Sequence, residues 1–580
     1  MNVVCHIDFM KVNFLQDFQP ALFQSLKTYN KEKFFADLMS GLIVGVVALP
    51  LAIAFGIASG VAPEKGIYTA IIAGFIISFL GGSKVQIGGP TGAFIVIVYG
   101  IVEQYGVQGL AIATVLAGVM LMAMGFLKLG AVIKFIPYPI VIGFTSGIAL
   151  TIFSTQIKDF FGLTTPSLPA GFIEKWAVYF QHFNTINWWA ALIAFASVAI
   201  IVITPRISKK IPGSLIALIM MTLAAYLMKT YGGITSIETI GDRFIINSQL
   251  PDMEQIPLSL ESIRLLFPAA FTIAMLGAIE SLLSATVADG ATGQKHNSNM
   301  ELVAQGAANI ITPFFGGIPA TGAIARTMTN INNGGGTPVA GVIHALVLLL
   351  IFLFLGDLTR HIPMACLAGV LVVVAYNMSE WRTFVSLIRQ SKSTMGILMT
   401  TFLLTVIFDL TIAIGVGLML AIFGFLKRMN ESTQVSRTTG SIDLAKEMES
   451  HFTDVSEEVL QLPNGVEVYE IEGPFFFGVA SKFDEITREL GEHPHIRIIR
   501  MRKVPFIDST GLNNLEILCR HSRKEKIQII LSGVKDSVRE SIEKTDIPQI
   551  IGSENICSNI HLAVERAVLL DAERKQTNKG

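Results

Sequence analysis

Two residues in this sequence have the chemistry to handle a small ion inside an apolar environment. Glu280 lies in residues 276–289 (LGAIESLLSATVAD), and Arg326 lies in residues 314–330 (FFGGIPATGAIARTMTN). Ionisable side chains in such runs are costly at bilayer depth and are functional candidates by default. A carboxyl group there is poised to take up a proton, as a proton-coupled carrier requires. The plainer alternative is a structural ion pair with a cation such as Arg326. The guanidinium offers a bidentate fork for a sulfate or a carboxylate. Ser281 and Ser284 flank the acid, and Ser284 shares its helical face one turn on. Ser284 reads either as a site residue or as packing between helices.

Around Arg326 the sequence repeats itself. Residues 79–95 read FLGGSKVQIGGPTGAFI, so Phe-x-Gly-Gly, then Pro, then Thr-Gly-Ala occurs twice, ending in Thr91-Gly92-Ala93 and Thr321-Gly322-Ala323. Short, Gly/Pro-broken apolar segments at matching places in two halves are a pointer to a transporter's substrate site. A helix that starts there exposes unpaired N–H groups and the positive end of its dipole, which suits an anion. Small residues let a ligand approach the backbone closely. Two such ends facing each other would cradle one small anion. Close packing of small residues explains a single copy, but two copies in matching contexts favour the site.

The elements that must position these residues are membrane helices. Of 580 residues, 52% are hydrophobic and 15% charged, so a polytopic membrane protein is expected, with room for a soluble domain. The net charge of −1 gives no basic field for nucleic acid. Cys5, Cys366, Cys519 and Cys557 show no paired spacing, so neither a disulfide framework nor a zinc site is expected. Residues 1–35 form a cytoplasmic N-terminal segment ending in Lys27, Lys31 and Lys33, which favours an inside N-terminus. Apolar runs near 38–58, 67–80, 109–127, 139–157, 187–204 and 213–228, with a half-span at 90–102, make seven. Runs near 267–287, 300–315, 338–356, 362–377, 395–409 and 411–427, with a half-span at 319–331, make seven more. An odd repeat length inverts the second copy, giving a transporter domain 36–428 of two inverted repeats, 36–229 and 265–428. Both termini then lie inside, in agreement with Arg206/Lys209/Lys210, Arg382/Arg389/Lys392 and Lys427/Arg428. Gly41-x-x-x-Gly45 and Gly56-x-x-x-Gly60 fit close packing; His344 and Asp409 read as structural residues near span ends.

Past Arg428 the composition turns polar. Residues 429–456 read as a linker, with an amphipathic piece around 441–452. Residues 457–571 alternate strand-like stretches (466–472, 496–501, 527–532) with helical ones (482–490, 509–524, 536–544), the pattern of a small α/β domain. Residues 572–580 read as a disordered tail. In Asp508-Ser509-Thr510-Gly511 a strand leads into a helix, where Ser509 is most simply an N-cap; the functional alternative is a phosphorylation or partner-binding switch.

These residues together resemble the SulP family of anion transporters, the sulfate permeases related to prestin and pendrin. The resemblance rests on Leu49-Pro50-Leu51-Ala52-Ile53-Ala54-Phe55, Gly89-Pro90-Thr91, Gly277-Ala278-Ile279-Glu280-Ser281-Leu282-Leu283, Lys295-His296-Asn297, Phe315-Gly316-Gly317-Ile318 and Ala325-Arg326. Asp508-Ser509-Thr510-Gly511 resembles the signature loop of the STAS domain that follows the membrane part in this family. The resemblance implies a seven-plus-seven inverted-repeat fold, a core domain moving as an elevator against a gate domain, and a homodimer. It implies a site between half-helices 3 and 10, completed by spans 1 and 8. Phe55 would line it, Thr91, Gly92, Ala93, Ala323, Ala325 and Arg326 would cup the anion, and Glu280 and Ser284 would face it. Thr321 and Gly322 complete the second copy. Glu at position 280 is similar to proton-coupled members, whereas sodium-using bicarbonate carriers tend to have Asp. Leu51 stands where many eukaryotic relatives have Gln. Ser146-Gly147-Ile148 and Asn377-Met378-Ser379-Glu380 are similar in wording to bacterial members linked to C4-dicarboxylate uptake.

The expected function is therefore secondary active transport of a small oxyanion of the sulfate type, with dicarboxylate or bicarbonate as alternative cargo. H+ is the expected coupling ion and Na+ the alternative; no cofactor and no enzymatic constellation is expected. A cytoplasmic protein partner at the STAS domain is the further expectation. Of other classes, an anion channel or a STAS-based signalling protein stands ahead of a nucleobase–proton symporter, against which Arg326 and the STAS tail argue.

Overall fold

The structure, a computed structural model, describes residues 18–133, 137–166, 168–169, 171–207, 212–245, 249, 251–408, 410–432, 434–443, 459–476 and 494–577. The helix expected over 482–490, and Cys5, Lys209, Lys210 and Asp409, lie outside the described residues. The chain divides into two compact units, Met1–Ala421 and Ile422–Gly580.

Among its described residues the first unit is helical apart from two short strands. Its main elements are α1 (Lys31–Ala58), α2 (Pro63–Leu80), β1 (Gly88–Gly89), α3 (Ile95–Phe126), α4 (Tyr138–Phe161), α5 (Trp188–Ile207), α6 (Gly213–Thr230), α7 (Leu260–Thr292), α8 (Ser298–Ile311), β2 (Thr321–Gly322), α9 (Ile324–Asn332), α10 (Val339–Leu355), α11 (Met364–Met378), α12 (Trp381–Gln390) and α13 (Lys392–Ile407), with shorter helices between them, among them Phe172–Gln181, which carries Lys175. α14 (Leu410–Ser432) runs from it into the second unit. Among the described residues ten helices are long and apolar enough to cross a membrane. The difference from fourteen expected segments has a local cause in each case. The half-span 90–102 and the span 109–127 run into one helix bent at Gly106, whose φ of 69° leaves the helical region. Ser298–Ile311, Ile324–Asn332 and Lys392–Ile407 are shorter than the about 20 residues a crossing needs.

Large apolar side chains such as Leu192, Phe195, Ile219 and Leu223 are exposed on the outer helices, as suits a surface solvated by lipid. Inside, glycines bring backbones together. A side-chain carbon at Gly118 would come within 2.7 Å of the Gly306 carbonyl, and one at Gly306 within 2.6 Å of the Gly118 carbonyl, which locks α3 onto α8. Gly41 sits in the same way 2.6 Å from the Ala340 carbonyl, so the first expected glycine pair packs α1 on α10. Gly60 instead has φ 78° and turns the chain after α1.

The second unit contains a five-stranded sheet: β3 (Gln434–Thr439), β4 (Val466–Glu472), β5 (Ile496–Lys503), β6 (Gln528–Ser532) and β7 (Ile556–Cys557), in that spatial order. β3 is antiparallel to β4 and the remaining pairs are parallel. α15 (Ser509–Lys524) and α16 (Asp536–Glu543) cover one face, where Ile499, Ile529 and Leu531 pack on Leu515, Cys519 and Ile542. α17 (Ile560–Thr577) covers the other, where Ile498 and Ile530 pack on Ala563 and Ala567. The period-2 alternation of strands sends neighbouring apolar residues to opposite cores. Burial pushes the Cys519 thiol up to about 12, as befits an inert core residue.

Three boundary expectations need correction. Part of the expected linker, Gln434–Thr439, is an edge strand, because Val435 packs on the core and Arg437 pairs with Glu467. The start of the expected amphipathic piece, Ser441–Asp443, is a strand paired with Val459–Gln461, while 444–452 lies outside the described residues. The expected tail is helical as far as Thr577, since Ala572, Glu573, Arg574 and Lys575 are good helix formers and Lys575 pairs with Asp571 at 2.6 Å. The helix cap is also reassigned. Asp508, with extended backbone, accepts from the Gly511 N–H at 2.6 Å, and Ser509 is the first helical residue.

Candidate functional site

The two repeated segments meet. β1 and β2 pair antiparallel, Gly88 opposite Gly322 and Gly89 opposite Thr321. The Ala323 N–H extends the pairing by donating to the Ile87 carbonyl at 2.9 Å. Each chain then leaves the crossing extended, at Thr91 (φ −127°) and Ala323 (φ −100°), and turns into a helix. The first begins as a 3₁₀ turn, Gly92–Phe94, and the second is α9. Their first turns leave backbone N–H groups without helical partners, and two such turns start from opposite sides of one crossing.

Neighbouring helices hold the crossing in register. Thr321 Oγ1 donates to the Gly277 carbonyl at 3.0 Å, and Gln86 Nε2 to the Ser281 carbonyl at 3.3 Å, so both segments are tied to α7 on either side of Glu280. Ser284 Oγ lies 3.4 Å from Thr327 Oγ1, which itself accepts from the Ile87 N–H at 3.1 Å. α8 holds both segments with side chains at i, i+4 and i+8. Glu301 Oε2 accepts from the Gly82 and Ser83 N–H groups at 2.9 and 3.1 Å, and Gln305 Nε2 donates to Glu301 Oε1 at 2.9 Å. Asn309 then brackets Ala320, accepting from its N–H at 2.9 Å and donating to its carbonyl at 2.8 Å. Sequence reading missed this polar ladder; its signal is the four-residue spacing Glu301, Gln305, Asn309 in an otherwise apolar helix.

Of the expected site residues, Glu280 is 8% exposed, and among the described residues its carboxyl group has no hydrogen-bond or ion-pair partner. The ion pair with Arg326 considered from sequence is not formed. Arg326 is 2% exposed; its Nη2 donates to the Pro90 carbonyl at 3.3 Å and its Nη1 has no partner among the described residues. The guanidinium thus sits against Gly89 and Pro90, behind the start of the first helix, where its charge adds to the field of that N-terminus. Thr91 Oγ1 is buried and unpartnered. Gly92 faces Phe55, Ile152 and Met378, each 3.5–3.7 Å from where its side-chain carbon would stand. Ile152 and Met378 were not singled out from sequence, since single apolar residues on α4 and α11 carry no signal. Ala93, Thr321, Gly322 and Ala323 are buried at the crossing, whereas Ala325 is exposed. Ser284 is engaged with Thr327. His344, read as a span-end residue, is fully buried within α10, and neither ring nitrogen has a partner among the described residues.

Gly322 carries a direct prediction. A side-chain carbon there would overlap the Gln86 amide and displace it from the Ser281 carbonyl. Gly322→Val is expected to lower stability by about 1–3 kcal/mol, the cost of a buried polar group left unmatched. Thermal unfolding of the purified protein in detergent checks this, and an unchanged Tm would show that the crossing tolerates the bulk.

A helical membrane unit in which two interrupted helices start from one crossing, beside an unpaired buried carboxyl group, is the architecture of a substrate carrier, here joined to an α/β domain. Residues 34–401 match the model of the sulfate permease family, and residues 459–567 that of the STAS domain. The chain belongs to the sulfate permease family. It is 42% identical to YvdB of Bacillus subtilis, provisionally named a sulfate transporter, over 91% of this chain and 97% of that one. It is 30% identical to the bicarbonate transporter BicA of Picosynechococcus, over 92% of this chain and 94% of that one. In fold it is similar to the murine anion transporter Slc26a9 in its inward-facing state, with a TM-score of 0.84 at 20% identity over 96% of this chain and 95% of that one. The transmembrane domain of a cyanobacterial BicA superposes with a TM-score of 0.60 at 32% identity, covering 67% of this chain and 98% of that one. The chain is thus a multi-pass membrane protein of a transporter family, and no enzyme. The dicarboxylate likeness read from residues 146–148 and 377–380 is not supported by these relatives, which are named for sulfate and bicarbonate.

Proposed function

We propose that this protein imports sulfate, or an oxyanion of similar size, together with protons. The observation that carries the reading is the pairing of an unpartnered, buried Glu280 with the crossing of two helix N-termini backed by Arg326. A buried charge without a partner is costly, so Glu280 needs a proton or a bound cation whenever the site is closed. In this reading Thr91–Ala93 and Thr321–Ala323 present N–H groups to the anion. Phe55 walls the site, Arg326 acts through the field behind Pro90, and Glu280 exchanges the proton. The fourteen segments form seven-plus-seven inverted repeats with both termini cytoplasmic, the core sliding as an elevator against the gate in a homodimer. The STAS domain offers its α15 start, with Ser509 exposed, to a cytoplasmic partner or a kinase.

Uptake into proteoliposomes tests this, with labelled sulfate, bicarbonate, succinate or fumarate under imposed H+ or Na+ gradients. Saturable sulfate accumulation that follows the proton gradient is expected. Flux that never exceeds equilibration would indicate a channel, and accumulation driven by Na+ alone would reassign the coupling ion. Bicarbonate is the second reading, favoured by the 30% identity to BicA.

A further inference from the structure

A cavity of about 170 Å³ lies one to two helical turns from the anion site along each of its walls. Ala58 is one turn beyond Phe55 on α1, Tyr99 two turns beyond Gly92 on α3, and Thr155 one turn beyond Ile152 on α4. Leu371 is two turns before Met378 on α11. The same four helices that wall the site therefore continue into this cavity, which lies toward their ends on the face bearing residues 162–187, where α4 ends. Its charged lining is mostly cationic, Lys158, Lys175 and Arg243 with Asp159, and Tyr99, Thr155 and Gln156 add polar groups. Arg243 is already neutralised, at 2.9 Å by Asp159 and at 2.6 Å by Glu238. Lys175 is not. It is 4% exposed, has no hydrogen-bond or ion-pair partner among the described residues, and rests 5.5 Å from the centre of the Tyr99 ring.

We propose that this cavity is a second, transient anion-binding site, in which the Lys175 ammonium captures a small oxyanion on its way between the 162–187 face and the crossing. A buried ammonium held only against a ring face lacks the acceptors its three donors require, and an oxyanion supplies them. Burial lowers the Lys175 ammonium's proton affinity while the Glu103 carboxylate one turn beyond Tyr99 raises it, so Glu103 competes with the anion from outside the cavity. Tyr99 holds the stem without neutralising the head. Lys158, which also lines the cavity, adds to the attraction.

The inference rests on the chain carrying an oxyanion, and the test separates the two. Sulfate transport is measured in proteoliposomes of sorted orientation, with substrate on one face and then on the other. In Lys175→Gln, the KM for sulfate presented at the 162–187 face is expected to rise about tenfold, the loss of one charge-assisted contact. The KM from the opposite face should stay as in the wild type while kcat in that direction falls about tenfold, because detailed balance fixes the ratio of kcat/KM in the two directions, and Lys175→Arg should restore both. A variant that lowers kcat equally from both faces and leaves KM alone would make Lys175 a structural latch on Tyr99 and overturn the proposal. Absence of sulfate transport in the wild type would instead refute the cargo assignment. A second measurement needs no variant: saturating sulfate should protect Lys175 of the wild type from acetylation, read by mass spectrometry, and unaltered labelling would equally overturn the site.

Discussion

Glu280→Gln is expected to abolish proton-driven accumulation while leaving the protein folded and able to equilibrate its anion. With one proton per anion, a pH difference of about 2 units is worth about 2.7 kcal/mol, or about a hundredfold accumulation. The variant should fall to equilibration, about onefold. Folding should survive because Gln preserves the shape and the carboxyl group has no partner to lose. The sign of the pH dependence follows from the role. If uptake requires Glu280 to be protonated from outside, wild-type uptake declines as external pH rises, and the Gln variant is flat. Sulfate uptake across a range of external pH, at fixed internal pH, checks both statements. Full gradient dependence in Glu280→Gln would remove Glu280 from the coupling step.

Arg326→Ala is expected to raise the anion dissociation constant by about ten- to a hundredfold, the loss of about 1.5–3 kcal/mol of interaction with a charged donor. The structure complicates the simplest version of this claim. Nη2 is committed to the Pro90 carbonyl and Nη1 is unpartnered, so the residue combines a field acting on the anion with a brace on the first helix. Arg326→Lys separates the two, because an ammonium keeps the charge and loses the fork. Sulfate at about a hundred times its dissociation constant should stabilise the wild type by about 2.7 kcal/mol, visible as a thermal shift. The shift should vanish in Arg326→Ala and persist in reduced form in Arg326→Lys. An undiminished shift in the Ala variant would confine Arg326 to bracing Pro90.

Much of this was legible in the sequence because membranes punish polar groups. Glu280 and Arg326 stood out against an apolar background, and the doubled Thr-Gly-Ala segments stood out by repetition. In the α/β domain the strand over 466–472 and the helix over 509–524 have the bounds that periodicity and turn residues predict. Less legible was anything that depends on a partner far along the chain. Glu301 holds Gly82 and Ser83, more than 200 positions away, and nothing near it in the sequence names those partners. Ser284 read equally as ligand or glue, and its contact with Thr327 favours glue. Ser509 read as a cap, but the neighbouring Asp508 has the extended backbone and takes the bond.

The sequence by itself determined that this is a polytopic membrane protein with two broken segments, an acid and a cation in apolar runs, because composition and local spacing are one-dimensional properties. Only the tertiary structure decided that the two segments pair through Gly88–Gly89 and Thr321–Gly322. It alone decided that Glu280 is left without Arg326 as a partner, and that Lys175 is buried over Tyr99 with no ion pair among the described residues. The reason is physical. Whether a buried charge is paired depends on distances of a few ångströms between residues tens or hundreds of positions apart, and the packing of whole helices sets those distances.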